Sequence, residues 1–382
     1  MLDTKINQQL IAILQTDLLK WFKKDQRKLP FRQTKDPYFI WISEIMAQQT
    51  QIDTLIPYYN RFIDKFPTVF SLALASADEV IKAWEGLGYY SRARNLHQAA
   101  RIIVADYDGL MPDNFAELIK LPGIGPYTGG AIASIAFNQP VSAVDGNVLR
   151  VISRYCNSFD DIGEAKTKKR MTHWIESILP EAAGDFNEAL MELGALICTP
   201  QNPKCLLCPI RSGCQSHAAG TTEQLPIKAK KQKQTTQKME VGIVKQNGCL
   251  YFVRRPDAGL LSGMWSFPIA EAATGNGQDI KKKLGENFPE LNEPVFIGTS
   301  RHVFSHIIWE MSIYGFDLDS MVSETTAHSY LVTNQQESRS DRDTAFKALS
   351  QVDELALPVA FSKLLDQLTG FNVTNSIILS TS

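Results

Sequence analysis

Four of the six cysteines lie close together between residues 198 and 214, where their thiolates could hold a metal centre. They are Cys198, Cys205, Cys208 and Cys214, separated by six, two and five residues. Structural zinc sites usually present two close pairs of ligands, whereas one close pair with two single flanking cysteines is more typical of an iron–sulfur cluster. The spacing therefore favours a cluster and leaves zinc as the alternative. It does not decide between a redox and a structural role.

A second candidate site is the glycine-rich segment LPGIGPYTGGAIASIAF (121–137), which joins two predicted helices. Gly123 and Gly125 permit positive φ and close backbone approach. The first N–H groups of the second helix could then point at a phosphate. An ordinary helix–helix turn would explain Gly-Ile-Gly equally well. Asp145 follows Gly125 by twenty residues and is a candidate N-cap for the next helix.

Glu44 is a third candidate because it stands in an otherwise apolar helical run, FIWISEIMA (39–47). Burial among apolar side chains would raise the pKa of this carboxyl and make it a proton donor at neutral pH. A surface glutamate on an amphipathic helix is the alternative.

Apolar residues recur at helical spacing through the first 220 residues, so an all-α region is expected there. Asp36-Pro37 is a typical helix start, and Pro112-Asp113-Asn114 offers caps before the next apolar run. The predicted helices cover 6–22, 38–65, 69–84, 92–106, 115–120, 128–137, 147–156, 167–179 and 186–197.

The pattern changes after LPIKAKKQKQTTQKME (225–240), which is expected to be an exposed linker whose lysines could also touch phosphates. Asn247-Gly248 between two β-rich runs predicts a hairpin. Further strand-like runs occupy 293–318, and short helices are expected at 281–288 and 361–370. This pattern indicates a separate α+β domain at 238–370.

The chain has 382 residues, more than one compact core usually holds, so a multidomain protein is expected. Its net charge of −2 hides a division: 27 Lys/Arg oppose 24 Asp/Glu in residues 1–237, and 12 oppose 17 afterwards. A DNA-binding surface would therefore lie on the first part, but the excess of charge is weak, and the case for DNA must rest on local geometry. No apolar run is long enough for a membrane span, and the N-terminus lacks signal-peptide features, so a cytoplasmic location is expected.

In combination these features resemble the iron–sulfur branch of the helix–hairpin–helix DNA glycosylases, and within it the MutY-type adenine glycosylases. The motifs that carry the resemblance are LPFR (29–32), WISEIMAQQT (41–50), WEGLGYYSRARNLH (84–97), LPGIGPYTGGAI (121–132), VDGNVLRV (144–151), FNEALMELGALICTP (186–200) and FSH (304–306).

The resemblance implies a domain plan. Residues 1–225 would form the glycosylase region, with a six-helix subdomain at about 30–140 and an iron–sulfur subdomain from 1–29 and 141–225. Residues 226–237 would be a linker, and 238–370 a Nudix-like domain for lesion recognition. The run 271–288 lacks the glutamate pairs of a catalytic Nudix box, so no pyrophosphohydrolase activity is expected.

The resemblance also implies the catalytic residues. Glu44 would lie near adenine N7 and protonate the base, while Asp145 would stabilise the sugar cation. Asp145 is expected to have a low pKa because a helix N-terminus and nearby donors favour its ionised form. Asn147 would orient groups between these carboxyls. Tyr127 stands where lyase relatives have a Schiff-base lysine, so hydrolysis to an abasic site without strand cleavage is expected.

Binding residues follow from the same resemblance. Adenine would leave the duplex, with Gln49 and Tyr89 intercalating and Thr50 near the lesion. Phe31 and Ala47 depart from the larger side chains usual in relatives, which leaves pocket details open. The remaining expected contacts are Arg32 and Glu188 in the adenine pocket, Gly123 and Gly125 at the DNA backbone, and Phe304, Ser305 and His306 at 8-oxoguanine.

The implied partner is double-stranded DNA with an adenine:8-oxoguanine or adenine:guanine mispair, in base excision repair. A 4Fe-4S cluster on the four cysteines and a monovalent cation at the hairpin are the implied cofactors. A monomer that works at a bacterial nucleoid, without membrane attachment, is expected.

Two other classes of protein stay open from the sequence. An endonuclease III-like or thymine-mismatch glycosylase would act on other bases, and Tyr127, Glu44 and the C-terminal domain speak against one or the other. A non-catalytic iron–sulfur protein that senses lesions would not need Glu44 and Asp145 together.

Overall fold

The computed structural model describes residues 8–229, 234–256, 259–304, 306–319 and 343–369. These divide into two compact units, one from the ranges 1–83 and 91–231 and the other from 84–90 and 232–382. Among the described residues, none of the helices combines the length and apolar character needed to span a bilayer.

The first unit is helical throughout, as the periodicity predicted. Short 3-10 turns occur at Pro30–Arg32, Cys205–Leu207, Arg211–Gly213 and Thr222–Gln224. Its described helices are α1 (Gln8–Asp25), α2 (Pro37–Ala47), α3 (Ile52–Lys65), α4 (Val69–Leu74), α5 (Ala77–Ala83), α6 (Ser91–Asp106), α7 (Phe115–Leu118), α8 (Pro126–Phe137), α9 (Gly146–Tyr155), α10 (Ala165–Ser177), α11 (Ala183–Leu196) and α12 (Gln215–Ala219).

Two of the predicted caps begin helices, and one of these helices, α2, carries site residues. The side chain of Asp36 accepts a hydrogen bond from the Tyr38 amide at 2.8 Å, and Pro37 takes the first helical position of α2. Asn114 accepts from the Glu117 amide at 3.0 Å and begins α7. The continuous helix expected over 38–65 is instead two helices, separated by a turn at residues 48–51.

One core of the first unit lies between α1, α9, α10 and α11. Leu14 and Leu18 from α1 are fully buried against Ile152 of α9 and Phe186 of α11. The segment that carries the four cysteines packs on this same core, and three of its cysteines are partly buried there. The N-terminal helix therefore contributes to the cysteine-bearing half of the unit.

The second unit is a mixed sheet with helices. The described strand order is β3-β2-β1-β6-β5, with β4 paired to β1 and β7 to β2. β1 runs parallel to β6, and the other pairs are antiparallel. The elements are β1 (Thr235–Gln246), β2 (Cys249–Arg254), β3 (Trp265–Ser266), β4 (Ile269–Glu271), α13 (Gln278–Leu284), β5 (Val295–Val303), β6 (Ile307–Asp317), β7 (Thr344–Ala348) and α14 (Val359–Thr369).

The second unit confirms the predicted α+β class and the Asn-Gly hairpin. Asn247 and Gly248 both have positive φ, and Gln246 pairs with Cys249 across the turn. Strand β1 begins at Thr235, however, so it includes residues that polar composition had assigned to the linker. The side chains of these residues do not indicate a strand, and it is their backbone pairing with β6 that makes them part of β1. The domain boundaries expected from the sequence stay a prediction.

Candidate active site

One cavity of about 590 Å³ in the first unit collects most of the predicted site residues. Its walls come from α2, the start of α8, the residues around the start of α9, and α11. The predicted residues that line it are Arg32, Glu44, Gln49, Thr50, Tyr127, Asp145, Asn147 and Glu188. Phe31 and Ala47 line it too.

Glu44 projects from α2 into this cavity and is paired with Tyr127. The Tyr127 hydroxyl donates a hydrogen bond to Glu44 Oε2 at 2.6 Å and also lies 3.2 Å from the Met191 sulfur. Burial raises the pKa of Glu44 to about 7, although the bond from Tyr127 opposes the shift. The nearby carboxylates of Glu188 and Asp145 raise it further. Glu44 is therefore a carboxyl that can carry a proton near neutral pH.

Asp145 caps α9 and is held on two sides. It accepts hydrogen bonds from the Val148 amide at 2.8 Å and from Asn147 Nδ2 at 2.7 Å. The expected donors are therefore present, but the expected low pKa is wrong. Burial raises the pKa of Asp145 because the desolvation of its charge outweighs those donors and the nearby Arg150.

Asn147 connects Asp145 to the cysteine segment. Its Oδ1 accepts from Arg150 Nη2 at 2.8 Å, and Arg150 Nε donates to the Cys198 carbonyl at 2.8 Å. Arg150 Nη2 also donates to the Gly194 carbonyl. A continuous hydrogen-bonded chain thus runs from the Asp145 carboxylate to the backbone of the first clustered cysteine.

The pair expected in the base pocket, Arg32 and Glu188, faces each other across the cavity wall. Arg32 Nε lies 3.5 Å from Glu188 Oε1, and Lys35 Nζ lies 3.8 Å from Glu188 Oε2. Burial raises the pKa of Glu188 although both cations oppose the shift. The pocket therefore combines a guanidinium donor with carboxylate acceptors, which suits the mixed edge of a purine.

The turn after α2 carries Gln49 and Thr50. Gln49 is exposed and has φ 59°, the left-handed conformation that is uncommon outside glycine. The preceding Gln48 donates from Nε2 to Thr128 Oγ1 at 3.2 Å. Arg92 Nη1 donates to the carbonyl of Gln48 at 2.6 Å and to two carbonyls in the last turn of α2. The chain is thus fixed immediately before the exposed glutamine.

Tyr89 belongs to the stretch that clusters with the second unit, and it does not line the cavity. Its side chain is 46% exposed, and its φ of 48° is also left-handed. Exposed aromatic rings are the side chains on which nucleobases stack.

The two hairpin glycines differ. Gly123 has φ 79°, and a Cβ there would lie 2.8 Å from Cβ of Asn95, so the turn requires glycine. Gly125 is the N-cap of α8 with φ −87°, and a Cβ there would meet nothing within 4 Å. The chain's own packing therefore does not require Gly125, and the space beside it is open to an approaching backbone.

The four clustered cysteines line one small cavity of the first unit and form no disulfides. Arg154 Nη1 donates to Cys198 Sγ at 3.4 Å and to the Thr199 carbonyl at 2.7 Å. In the described part of the chain, no three His, Cys, Asp or Glu side chains form a group for a single metal ion. A buried guanidinium beside a thiol can offset the negative charge of a thiolate centre.

Phe304 and His306 lie in the second unit between β5 and β6, while Ser305 lies outside the described residues. The Phe304 ring makes edge contacts with His302 at 4.5 Å and Trp309 at 4.9 Å between centroids. His306 is exposed. Phe304 thus contributes to the packing of its own sheet, and His306 is the member of the pair that faces solvent.

Several residues of the site were missed by sequence reasoning. Glu192 follows Glu188 by one helical turn, a spacing that could have placed both on the cavity side of α11. The arginines carry no local signal, because each binds a carbonyl or a carboxylate distant in sequence, and Met191 contacts Tyr127, which is also distant. The missed residues are Arg27, Arg92, Arg150, Arg154, Met191 and Glu192.

Comparisons with known proteins agree with this architecture. The family described as HhH-GPD superfamily base excision DNA repair protein matches residues 42–177, and the NUDIX domain family matches 240–367. Adenine DNA glycosylase of Rattus norvegicus is 34% identical, over 83% of this chain and 72% of that protein.

The chain also resembles a bacterial relative over most of its length and a solved structure over about half. Adenine DNA glycosylase of Buchnera aphidicola (subsp. Baizongia pistaciae) is 33% identical over 93% of this chain and 96% of that protein. A solved thermostable thymine-DNA glycosylase aligns at TM-score 0.49 and 29% identity, over 55% of this chain and 98% of that one. Because these two adenine DNA glycosylases are 34% and 33% identical to the chain over more than two thirds of each protein, the chain belongs to the adenine DNA glycosylase family.

Proposed function

We propose that this chain is a DNA N-glycosylase that extrudes adenine from a mispair with 8-oxoguanine or guanine and excises it by hydrolysis. The observation that carries the proposal is that Glu44, with a pKa of about 7, and Asp145 line the same cavity. Family membership supports adenine as the base and double-stranded DNA as the partner.

The chemistry divides between these two carboxyls. Protonated Glu44 transfers its proton to N7 of the extruded adenine, so that the base can leave as a neutral molecule. The C1′–N9 bond then breaks with its electron pair going to adenine, and positive charge develops on the sugar. The Asp145 carboxylate stabilises that oxocarbenium ion. Water adds at C1′ and gives a proton to the Glu44 carboxylate, which restores the acid and leaves an abasic site.

The hydrogen-bonded neighbours set the positions of the two carboxyls. Tyr127 holds Glu44 by its hydroxyl, and Asn147 holds Asp145 by its amide. No lysine is among the described residues that line the cavity. A Schiff base needs a deprotonated amine, and the phenol of Tyr127 cannot supply one. This supports a monofunctional glycosylase without strand cleavage.

A 4Fe-4S cluster held by Cys198, Cys205, Cys208 and Cys214 is part of the proposal. Four thiols that share a cavity, with Arg154 donating to one of them, fit a polynuclear thiolate-bound centre. When bound, the cluster would fix the fold of this loop, and Arg150 would connect the loop to Asn147. The monovalent cation implied at the hairpin stays a prediction.

We further propose the domain plan of a glycosylase at 1–225, a linker at 226–237 and a lesion-recognition domain at 238–370. Helix α13 of the second unit carries Lys281, Lys282 and Lys283 in its last turn, where a catalytic Nudix helix would need glutamates. This supports lesion recognition without pyrophosphohydrolase activity. A monomer acting on the bacterial nucleoid completes the proposal.

A duplex panel tests the function. Labelled duplexes carry adenine, thymine or thymine glycol opposite guanine or 8-oxoguanine, and products are separated with and without alkali. Cleavage only at adenine, and only after alkali, is expected. Release of thymine would indicate a thymine glycosylase, and strand breaks without alkali would indicate a lyase. Binding without release of any base would favour a lesion sensor. Iron and zinc content, with absorbance near 400 nm, tests the cluster.

A further inference from the structure

Glu192 is a fully buried carboxylate that binds two arginines at the cavity wall. Its exposed fraction is 0%. Glu192 Oε1 accepts from the Arg27 amide at 3.0 Å and from Arg27 Nε at 2.9 Å. Its Oε2 accepts from Arg27 Nη2 at 2.6 Å and faces Arg32 Nη2 at 3.0 Å. A buried carboxylate with this many donors is fixed in position.

Through this contact Glu192 also fixes Arg32. A guanidinium is planar, so contacts at two of its nitrogens determine where the third points. Nη2 of Arg32 is held by Glu192, and Nε faces Glu188. Among the described residues, the remaining nitrogen, Nη1, is buried and has no hydrogen-bond partner. Because Arg32 lines the cavity, Nη1 is a donor left for a ligand there.

The same arrangement affects the charge around Glu44. The groups that face Glu44 are the Tyr127 hydroxyl, the carboxyls of Glu188 and Asp145, and the Arg32 guanidinium. Arg32 is the cation of this set, and its charge opposes the raised pKa of Glu44. A closer or uncompensated Arg32 would favour ionised Glu44 and remove the acid that the reaction needs.

We infer that Glu192 is a positioning residue that holds Arg32 beside the purine and prevents it from becoming the counterion of Glu44. The inference rests on the proposed function, in which Glu44 acts as an acid. A merely structural Glu192 is the alternative, and it would affect stability without affecting the ionisation of Glu44.

The ionisation of Glu192 does not overlap with the titration of Glu44. The pKa of Glu192 is lowered to about 2 because the hydrogen bonds from Arg27 and Arg32 outweigh its burial. It therefore stays ionised over any pH range in which a DNA glycosylase is assayed. A change in the titration of Glu44 on replacing Glu192 would report the altered surroundings of Glu44.

The test measures Glu44 directly. Carboxyl signals of ¹³C-labelled glutamate are followed by NMR against pH in the DNA-free protein, with Glu44→Gln identifying the Glu44 signal. Glu192→Gln is expected to lower the Glu44 pKa by about one unit, which corresponds to about tenfold in the protonated fraction above the midpoint. An unchanged Glu44 pKa in folded Glu192→Gln would overturn the inference.

Three further variants make the result specific. In an Arg32→Gln background, Glu192→Gln is expected to leave the Glu44 pKa unchanged, because the responsible cation is gone. A shift of equal size in that background would contradict a role through Arg32.

Glu240→Gln is the matched control, since Glu240 is also 0% exposed and accepts two backbone N–H bonds, but in the second unit. It is expected to leave the Glu44 pKa unchanged. Glu192→Asp keeps the charge with a shorter reach and serves if Glu192→Gln does not fold. A smaller fall in pKa is expected from it, and no fall would contradict positioning.

Adenine release is measured on the same variants. The single-turnover rate of adenine release falls as pH rises through the pKa of Glu44. In Glu192→Gln this fall is expected at a lower pH than in the unmodified chain. A uniform loss of rate at every pH, together with an unchanged Glu44 titration, would identify Glu192 as structural. If the unmodified chain releases no adenine, the proposed function fails, while the NMR titration still decides the role of Glu192.

Discussion

Glu44 and Asp145 are both carboxyls with raised pKa values, yet the proposed chemistry requires one protonated and one ionised. Their hydrogen bonds separate them. Glu44 accepts a hydrogen bond from the Tyr127 hydroxyl, whereas Asp145 accepts from a backbone amide and an amide side chain at a helix N-terminus. Donors of this kind favour the charged form and partly offset the burial of Asp145.

Replacing Glu44 with glutamine tests the acid. Glutamine keeps the size and the contact with Tyr127 but has no carboxyl proton to transfer to N7. Adenine release under single-turnover conditions is expected to fall by at least about a hundredfold, in the range typical for loss of a general acid. Affinity for the mispaired duplex is measured in parallel and is expected to persist. A variant that releases adenine at the unmodified rate would remove Glu44 from the mechanism.

The pH dependence follows from the same two groups. Glu44 must be protonated, so the single-turnover rate is expected to fall as pH rises through about 7. Asp145 must be ionised, so the rate is expected to fall as pH drops through its pKa, which burial places above the ordinary aspartate value. The profile of rate against pH is therefore a bell. A profile flat across neutral pH, or rising above it, would contradict Glu44 as the acid.

At the level of residues, the sequence indicated which groups could react but not how they are held. Glu44 in an apolar run predicted a buried acid, and its pKa of about 7 agrees with that expectation. The pKa of Asp145 was predicted in the wrong direction, because donors can be read from a helix start whereas the extent of burial cannot. Arg92 and Glu192 were missed since their partners lie far away along the chain.

At the level of elements, the break between α2 and α3 is the feature that presents Gln49. The apolar pattern of 38–65 continues through this break, so periodicity alone predicted one helix. The carbonyls of Ile45 and Met46 at the end of α2 instead find a donor in Arg92. A cation at a helix C-terminus satisfies carbonyls that have no partner within the helix. By contrast, Asp36 and Asn114 made their helix starts predictable because a cap is local.

Arg92→Met is predicted to impair base extrusion. Methionine keeps an unbranched apolar stem but removes the hydrogen bonds to three carbonyls, so the left-handed Gln49 would relax from its exposed position. With 2-aminopurine in place of adenine, the fluorescence rise on binding is expected to shrink several-fold, with a matching loss of single-turnover rate. The affinity of the variant for a duplex without 2-aminopurine should change much less.

Arg101→Met is the matched control for this element. Arg101 lies on the same helix, α6, and its Nε also donates to a backbone carbonyl, that of Ala73. It is expected to lower stability without reducing the 2-aminopurine signal. Equal signals from the two variants would show that the turn at Gln49 does not depend on Arg92.

At the level of the whole molecule, charge and chemistry are divided between the two parts of the chain. Residues 1–237 carry an excess of three positive charges, and residues 238–382 an excess of five negative charges. Phosphate binding depends on cations, so the second part is suited to a small contact with a base rather than to a broad contact with the backbone. The sequence predicted the α+β class of the second unit, but the start of β1 at Thr235 depends on its pairing with β6.

His306 is predicted to affect the choice of opposing base without affecting catalysis. It is exposed, whereas its neighbour Phe304 packs against His302 and Trp309. Loss of a single hydrogen bond typically costs about 0.5–1.5 kcal/mol, and a tenfold change corresponds to about 1.4 kcal/mol. His306→Ala is therefore expected to reduce the preference for adenine opposite 8-oxoguanine over adenine opposite guanine about tenfold, by slowing the former. His173→Ala, which removes an exposed histidine from α10, should leave the ratio unchanged. Equal slowing of both substrates by His306→Ala would place this residue outside lesion recognition and return the preference for the opposing base to the glycosylase unit.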